Sequence, residues 1–216
     1  MNSIAFGAPG IESHWTSSAK DGIGNAYNSS SKVWFTLSRG VVNEIYFPHV
    51  DSPNTRGLHF LITDGESFCH QERRDLLHQA ERPEQDALFY RLTNSDRKGR
   101  YRLVKEIIVD PHSPVLLIHA RLEVLDPKLR DKLRLFALLA PHMKNTGKNN
   151  SAAWCGLNGR RLFAVQMEDV DMSFGCTPDF TRRSLLPTSC KRLLLHSLTS
   201  ERSTSANGSA PALKSI

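Results

Sequence analysis

Six carboxylates lie in or beside the strand-like segments of this chain: Glu44, Asp51, Asp64, Glu66, Glu106 and Glu123. Two such groups held about 5 to 9.5 Å apart could act as acid and base, or acid and nucleophile, at a glycosidic bond. Spacing along a chain does not report that separation, and each acid taken singly reads as a solvated charge on a strand edge or turn. The nine histidines form no HxH, no HExxH and no i,i+4 pair, so no metal site is written into their spacing. His119 falls on the polar side of a strand pattern and reads as structural. The cysteines Cys69, Cys155, Cys176 and Cys190 stand far apart with no CxxC pair, which points to thiols rather than a zinc site or a disulfide scaffold. No GxSxG elbow is present, and Ser38-Arg39-Gly40 reads as a hairpin turn. Gly22-Ile23-Gly24-Asn25-Ala26-Tyr27 lacks a third glycine, and no glycine-rich loop ends in Lys-Ser/Thr, so a phosphate cradle is not indicated. From these residues no catalytic group, cofactor or metal ligand is assigned.

The aromatic set Trp15, Trp34, Phe35, Tyr46 and Phe47 has two readings. Flat rings on a β-face stack sugar rings, but the same rings supply large apolar area to a core. Trp34 and Phe35 are adjacent in a strand and point to opposite faces, as do Tyr46 and Phe47, so at most half of the set shares one surface. Core packing is the preferred reading.

The elements that would position these groups are strands. Alternation is clearest at Val115–Leu125, where Leu116, Ile118, Ala120, Leu122 and Val124 lie opposite His119, Arg121 and Glu123. It recurs at Lys132–Ala140, with Leu133, Leu135, Ala137 and Leu139 on one face. The two segments are expected to form a central antiparallel hairpin joined through residues 126–131. Further strands are expected at Val33–Leu37, Val41–Phe47, Leu58–Thr63, Leu88–Thr93, Tyr101–Val109, Leu162–Met167 and Met172–Phe174, separated by Gly-, Pro- and Asn-rich turns. Glu72–Ala80 is ambiguous between a turn or two of helix and an excursion loop. Residues 14–31 read as a wrapped or poorly ordered leading segment. Short strands with frequent turns favour an all-β, antiparallel β-sandwich.

With 216 residues and 39% hydrophobic side chains, the chain can bury a core without a metal or disulfide staple. The net charge of +6 is local: Arg182, Arg183, Lys191, Arg192, Arg202 and Lys214 stand against Glu201 in residues 181–216. The remainder is nearly neutral, which argues against nucleic acid as a partner. Twelve of those 36 residues are Ser or Thr, so residues 181–216 are expected to be a low-complexity, basic, mostly disordered tail, cut first by trypsin. Residues 1–180 are the expected folded domain. There is no apolar run of about 18 residues and no signal-like start, so a membrane is not expected and a cytoplasmic location is the default.

Three stretches carry a family likeness: Gly7-Ala8-Pro9-Gly10-Ile11-Glu12, Trp15-Thr16-Ser17-Ser18-Ala19-Lys20-Asp21-Gly22 and Val33 through Pro48. With Asp51, Arg56, Leu61-Ile62-Thr63-Asp64-Gly65, Tyr90-Arg91-Leu92-Thr93-Asn94, Gly99-Arg100-Tyr101 and Leu138-Leu139-Ala140-Pro141-His142, the chain resembles the amino-terminal domain of bacterial glucoamylases and glucodextranases, glycoside hydrolase family 15. The likeness runs over about residues 5–184. It implies a supersandwich preceding an (α/α)6 catalytic barrel that releases glucose from α-glucan ends with inversion, its two catalytic glutamates both in the barrel. No catalytic residue therefore transfers to this chain.

The likeness ends near Leu185, and the expectation is an incomplete sandwich from a truncated or frame-shifted gene product, with a genuine alternative terminus as the second reading. Functionally, the expectation is a non-catalytic domain that packs beside a catalytic barrel. The alternatives are a free-standing module binding an α-glucan or oligosaccharide, and sugar epimerisation on the sandwich by a His and a Glu. The chain alone is expected not to hydrolyse α-glucans.

Overall fold

The computed structural model describes residues 16–177 and 180–181. The first half of its strands are β1 (Gly22–Asn25), β2 (Trp34–Ser38), β3 (Val41–Tyr46), β4 (Thr55–Thr63), β5 (Cys69–Gln71) and β6 (Leu76–Glu81). They are followed by β7 (Tyr90–Asp96), β8 (Tyr101–Val109), β9 (Leu116–Val124), β10 (Arg134–Pro141), β11 (Ser151–Leu157), β12 (Arg160–Met167) and β13 (Val170–Phe174). A single four-residue helix, α1 (Glu72–Asp75), lies between β5 and β6. No helix among the described residues is long and apolar enough to cross a membrane.

The described residues divide into two units, one running to Ala140 and one beginning at Pro141. In the first, one sheet runs β1-β2-β3-β4-β10, with β5 also on β4, and a second runs β6-β7-β8-β9. Phe60 and Ile62 from the first sheet meet Leu76, Tyr101, Leu103 and Ala120 from the second in one buried cluster, completed by Leu133. Each of the Phe, Ile and Leu side chains in it contributes about 1.5–3 kcal/mol by leaving water. This is an antiparallel β-sandwich, as the alternation predicts. In the second unit β11, β12 and β13 form a three-stranded antiparallel sheet, across which Trp154 pairs with Phe163 and Phe163 with Phe174.

The expected hairpin over 115–140 is not formed. β9 pairs along its whole length with β8, from Val109↔Leu116 to Tyr101↔Val124, while β10 hydrogen-bonds to β4 in the other sheet. The short turn after Asp110 joins β8 directly to β9, with the Asp110 side chain accepting from the N–H groups of His112 and Ser113. The link then crosses the core: Asp126 caps a 3-10 turn at Pro127–Leu129, and Leu129 packs against the buried cluster. The two apolar faces therefore meet across the sandwich, with Leu122 and Val124 against the same cluster as Leu135 and Ala137.

The ambiguous segment resolves as α1 followed by strand β6, whose His78, Gln79 and Glu81 are exposed and which is held by its ladder to β7. The leading segment is ordered where it is described, since β1 pairs with β2 from Gly22↔Leu37 to Asn25↔Trp34. Its glycines are packing residues: a Cβ on Gly24 would collide with the ring of Phe35, and one on Gly22 with Tyr90. The expected tail and Cys190 lie outside the described residues apart from Thr181.

Candidate functional site

Alternation along β2 keeps Trp34 and Thr36 on the outer face of the first sheet, and an extra residue in β3 opposite Phe35–Leu37 sets Tyr46 and Glu44 beside them. Phe35 turns inward, fully buried, and its ring meets that of Tyr90 edge-on at 6.0 Å. The aromatic set thus splits between core and outer face, while Trp15 lies outside the described residues. Glu44 is buried on that face and accepts from Lys20 Nζ at 2.7 Å, from Thr36 Oγ1 at 2.7 Å and from the Thr16 hydroxyl. Burial alone would raise its carboxyl, but the bonds from Lys20, Thr16 and Thr36 and the Lys20 charge outweigh it and hold the group below the usual range. Burial, with Glu44 alongside, pushes the Tyr46 phenol up to about 12.

Beside Trp34 the outer face opens into a groove of about 480 Å³. Its walls come from Asn25 at the end of β1, from Tyr27, Asn28 and Ser31 in the segment after it, and from the turn after β3, with Pro48 and His49. The turn is braced by Asn54 Nδ2 donating to the Phe47 carbonyl at 2.7 Å and by Phe47 N donating to Ser52 O at 3.1 Å.

The other carboxylates are engaged or solvent-facing. Asp64 accepts from the Ser67 hydroxyl and from the N–H groups of Glu66, Ser67 and Phe68; these outweigh its burial and hold it at about 2. Asp51 and Glu66 are exposed. Glu106 takes two bonds from Arg91, at 2.8 and 3.1 Å, and lies 3.3 Å from His119 Nδ1, so its carboxyl is held down by Arg91 first and His119 second. Glu123 is held down in the same way by Arg102, with Arg121 contributing.

The structure does bring a His and a Glu together in His119 and Glu106, paired across β8 and β9. They sit on the outer face of the second sheet, with the His119 side chain 69% exposed, and belong to a ladder of surface ion pairs. Exposed pairs of this kind contribute about 0–1 kcal/mol each and give a proton carrier no shielded substrate position. His70 makes a second cluster: its Nδ1 is 2.6 Å from the Tyr101 hydroxyl and 3.7 Å from Asp96, which Arg100 holds from Nε at 2.6 Å. Burial lowers the His70 pKa against the pull of Asp96, and it raises that of Tyr101. Among the described residues no three His, Cys, Asp or Glu side chains gather to hold a metal ion, and Cys69 and Cys155 carry free thiols.

A family model described as "Glucodextranase, domain N" matches residues 5–185, most of the chain. The chain belongs to the glucodextranase domain N family. The resemblance read from the Trp15–Gly22 and Val33–Pro48 stretches is thereby upheld. A glucoamylase of Clostridium sp. (strain G0005) is 36% identical over 169 residues, covering 78% of this chain and 24% of that protein. A crystal structure of bacterial glucoamylase complexed with acarbose superposes with a TM-score of 0.75 at 34% identity, over 80% of this chain and 26% of the other. This domain N therefore spans about a quarter of the length of the relatives it matches.

One feature of this domain N escaped the motif reading. Lys105 lies on the core side of β8, in line with Tyr101, Leu103, Ile107 and Val109, and pairs with Glu72 from α1. Its side chain is 1% exposed and that of Glu72 is 0% exposed. Glu72 also accepts from Phe60 N and from Asn94 Nδ2, both at 2.6 Å. Lys105 and Asn94 both donate to the Gly40 carbonyl in the β2–β3 turn, at 2.7 and 2.8 Å. The network ties both sheets together. The signal for it was a lysine occupying an inward position of a strict period-2 pattern.

Proposed function

We propose that this domain serves a glucoamylase-type glycoside hydrolase of family 15 as its non-catalytic β-sandwich, packing beside an (α/α)6 barrel and helping to shape or stabilise it during α-glucan breakdown. The observation that carries this reading is the extent of the match, which covers residues 5–185 as domain N and about a quarter of a glucoamylase. The acarbose complex of the solved relative supports an oligosaccharide as the substrate class of the whole enzyme.

Site chemistry points the same way. Inversion needs one carboxyl raised to serve as acid and an opposed base across a water. Glu44, Asp64, Glu106 and Glu123 are all held below the ordinary carboxylate range by internal donors, and Glu72, which burial pushes up, is sealed in the core against Lys105 where no substrate reaches it. The test is to co-express this chain with the clostridial glucoamylase from which its own matching quarter has been removed. Co-purification of the two, with a raised melting midpoint of the enzyme portion, is expected. Failure to associate, with the midpoint and activity of the enzyme portion unchanged, would overturn the scaffold role.

A further inference from the structure

The groove beside Trp34 is built unlike the rest of the outer face. Tyr27 stands at its rim with 89% of its surface exposed, while Trp34 lines the wall from a position pinned between Asn25 of β1 and Tyr46 of β3. Its polar lining is dominated by neutral groups: the amides of Asn25 and Asn28 and the hydroxyls of Ser29 and Ser31. Lys32 and His49 add donors, and no carboxylate lines it. Ser31 is only 6% exposed, and its hydroxyl has no hydrogen-bond partner although it lines the groove. An unmatched buried hydroxyl is costly, and a ligand able to bond it would relieve that cost.

We propose that this groove binds a short segment of neutral α-glucan, with sugar rings against Trp34 and Tyr27 and sugar hydroxyls on the Asn and Ser side chains. A pyranose has what this lining asks for. Its C–H faces suit aromatic rings, and its hydroxyls both donate and accept, as amides and serines do. An anionic ligand would find a single lysine, and an extended peptide would find only the edge of the four-residue strand β1, which offers few ladder bonds. The volume lies within the range of about 300–1,000 Å³ of small-molecule clefts, room for a few sugar units. The α-linkage rests on the function proposed above, whereas the groove and its rings do not.

The test uses the full chain, with calorimetric titration of maltoheptaose and retention in a native gel containing amylopectin, and with cellohexaose as the control sugar. Maltoheptaose is expected to bind, and cellohexaose to bind at least about tenfold more weakly. Tyr27→Ala should weaken maltoheptaose about fivefold, and Trp34→Ala about tenfold, with Trp34→Phe recovering most of that loss, as expected for rings that stack on the sugar. Tyr27→Ala should leave the melting midpoint unchanged because the ring is nearly all exposed. Three results would each overturn the proposal: no binding of maltoheptaose by the wild-type chain, equal binding of cellohexaose, or maltoheptaose binding insensitive to Tyr27→Ala and Trp34→Ala. A Tyr27→Ala chain that keeps its sugar affinity but no longer associates with the clostridial enzyme would assign the groove to a protein contact instead. Loss of sugar binding with association intact would support the proposal separately from the scaffold role.

Discussion

Replacing Lys105 by Met leaves the Glu72 carboxylate fully buried with only the Phe60 N–H and the Asn94 amide to hold its charge. Burial already pushes Glu72 up and Lys105 down, so each ion depends on the other to stay charged. Removing one partner of such a pair costs about 3–5 kcal/mol. For a domain of this size that loss lowers the melting midpoint by on the order of 10 °C. Glu72→Gln should cost a similar amount, because Lys105 would keep only the Gly40 carbonyl and the Phe60 ring, and the new amide would set its own N–H groups against Asn94. The double variant Glu72→Gln/Lys105→Met has no buried charge, and its Gln oxygen still accepts from Phe60 N. It should therefore lose at least about 2 kcal/mol less than the two single losses combined. Urea melts of the four proteins read this directly, with m-values checking that the unfolding remains comparable. Single losses under about 1 kcal/mol, or a strictly additive double, would refute the idea that this pair clamps the two sheets.

Other outcomes follow from the same structure. Ile118→Lys lies on edge strand β9, half-buried opposite Ile107, so a lysine can run its stem along the core and reach water; chemical denaturation should show a loss of about 1–2 kcal/mol rather than the larger cost of a central strand. Asp64 is lowered from an ordinary 3.8 to about 2, so its contribution is full above about pH 4 and is lost as the pH falls towards 2; Asp64→Asn should lower the melting midpoint at pH 6 and leave it nearly unchanged at pH 2. Glu106→Gln and His119→Ala, on the exposed ladder, should each change stability by no more than about 0.5–1 kcal/mol in thermal melts.

Tyr101–Val109 was legible to the residue because one face of β8 is buried along its whole length, and an unbroken period of two leaves little freedom of register. The sandwich was legible for the same reason. The partner of β9 was not: alternation reports which face is buried, and the same face is satisfied by a neighbour in the sheet or by a strand across the core. Strand β6 was hidden because five of its six residues are exposed, so its ladder with β7, rather than any pattern of its own, defines it. At the site, Trp34 and Tyr46 were separable from Phe35 by strand parity alone. The groove was not, since Tyr27 and Asn28 come from one connection and Pro48 and His49 from another, and only the fold brings the two connections together.

Glucose release by the purified chain acting alone bears most directly on the central claim that this is a non-catalytic domain. Maltose, a longer maltooligosaccharide and an α-1,6-glucan are the substrates, with heat-killed chain as the control. The account predicts release no greater than the control on all three. Steady release that is abolished by substituting a carboxylate within the described residues, Glu44 or Glu106 for example, would contradict it and place the chemistry on the sandwich itself.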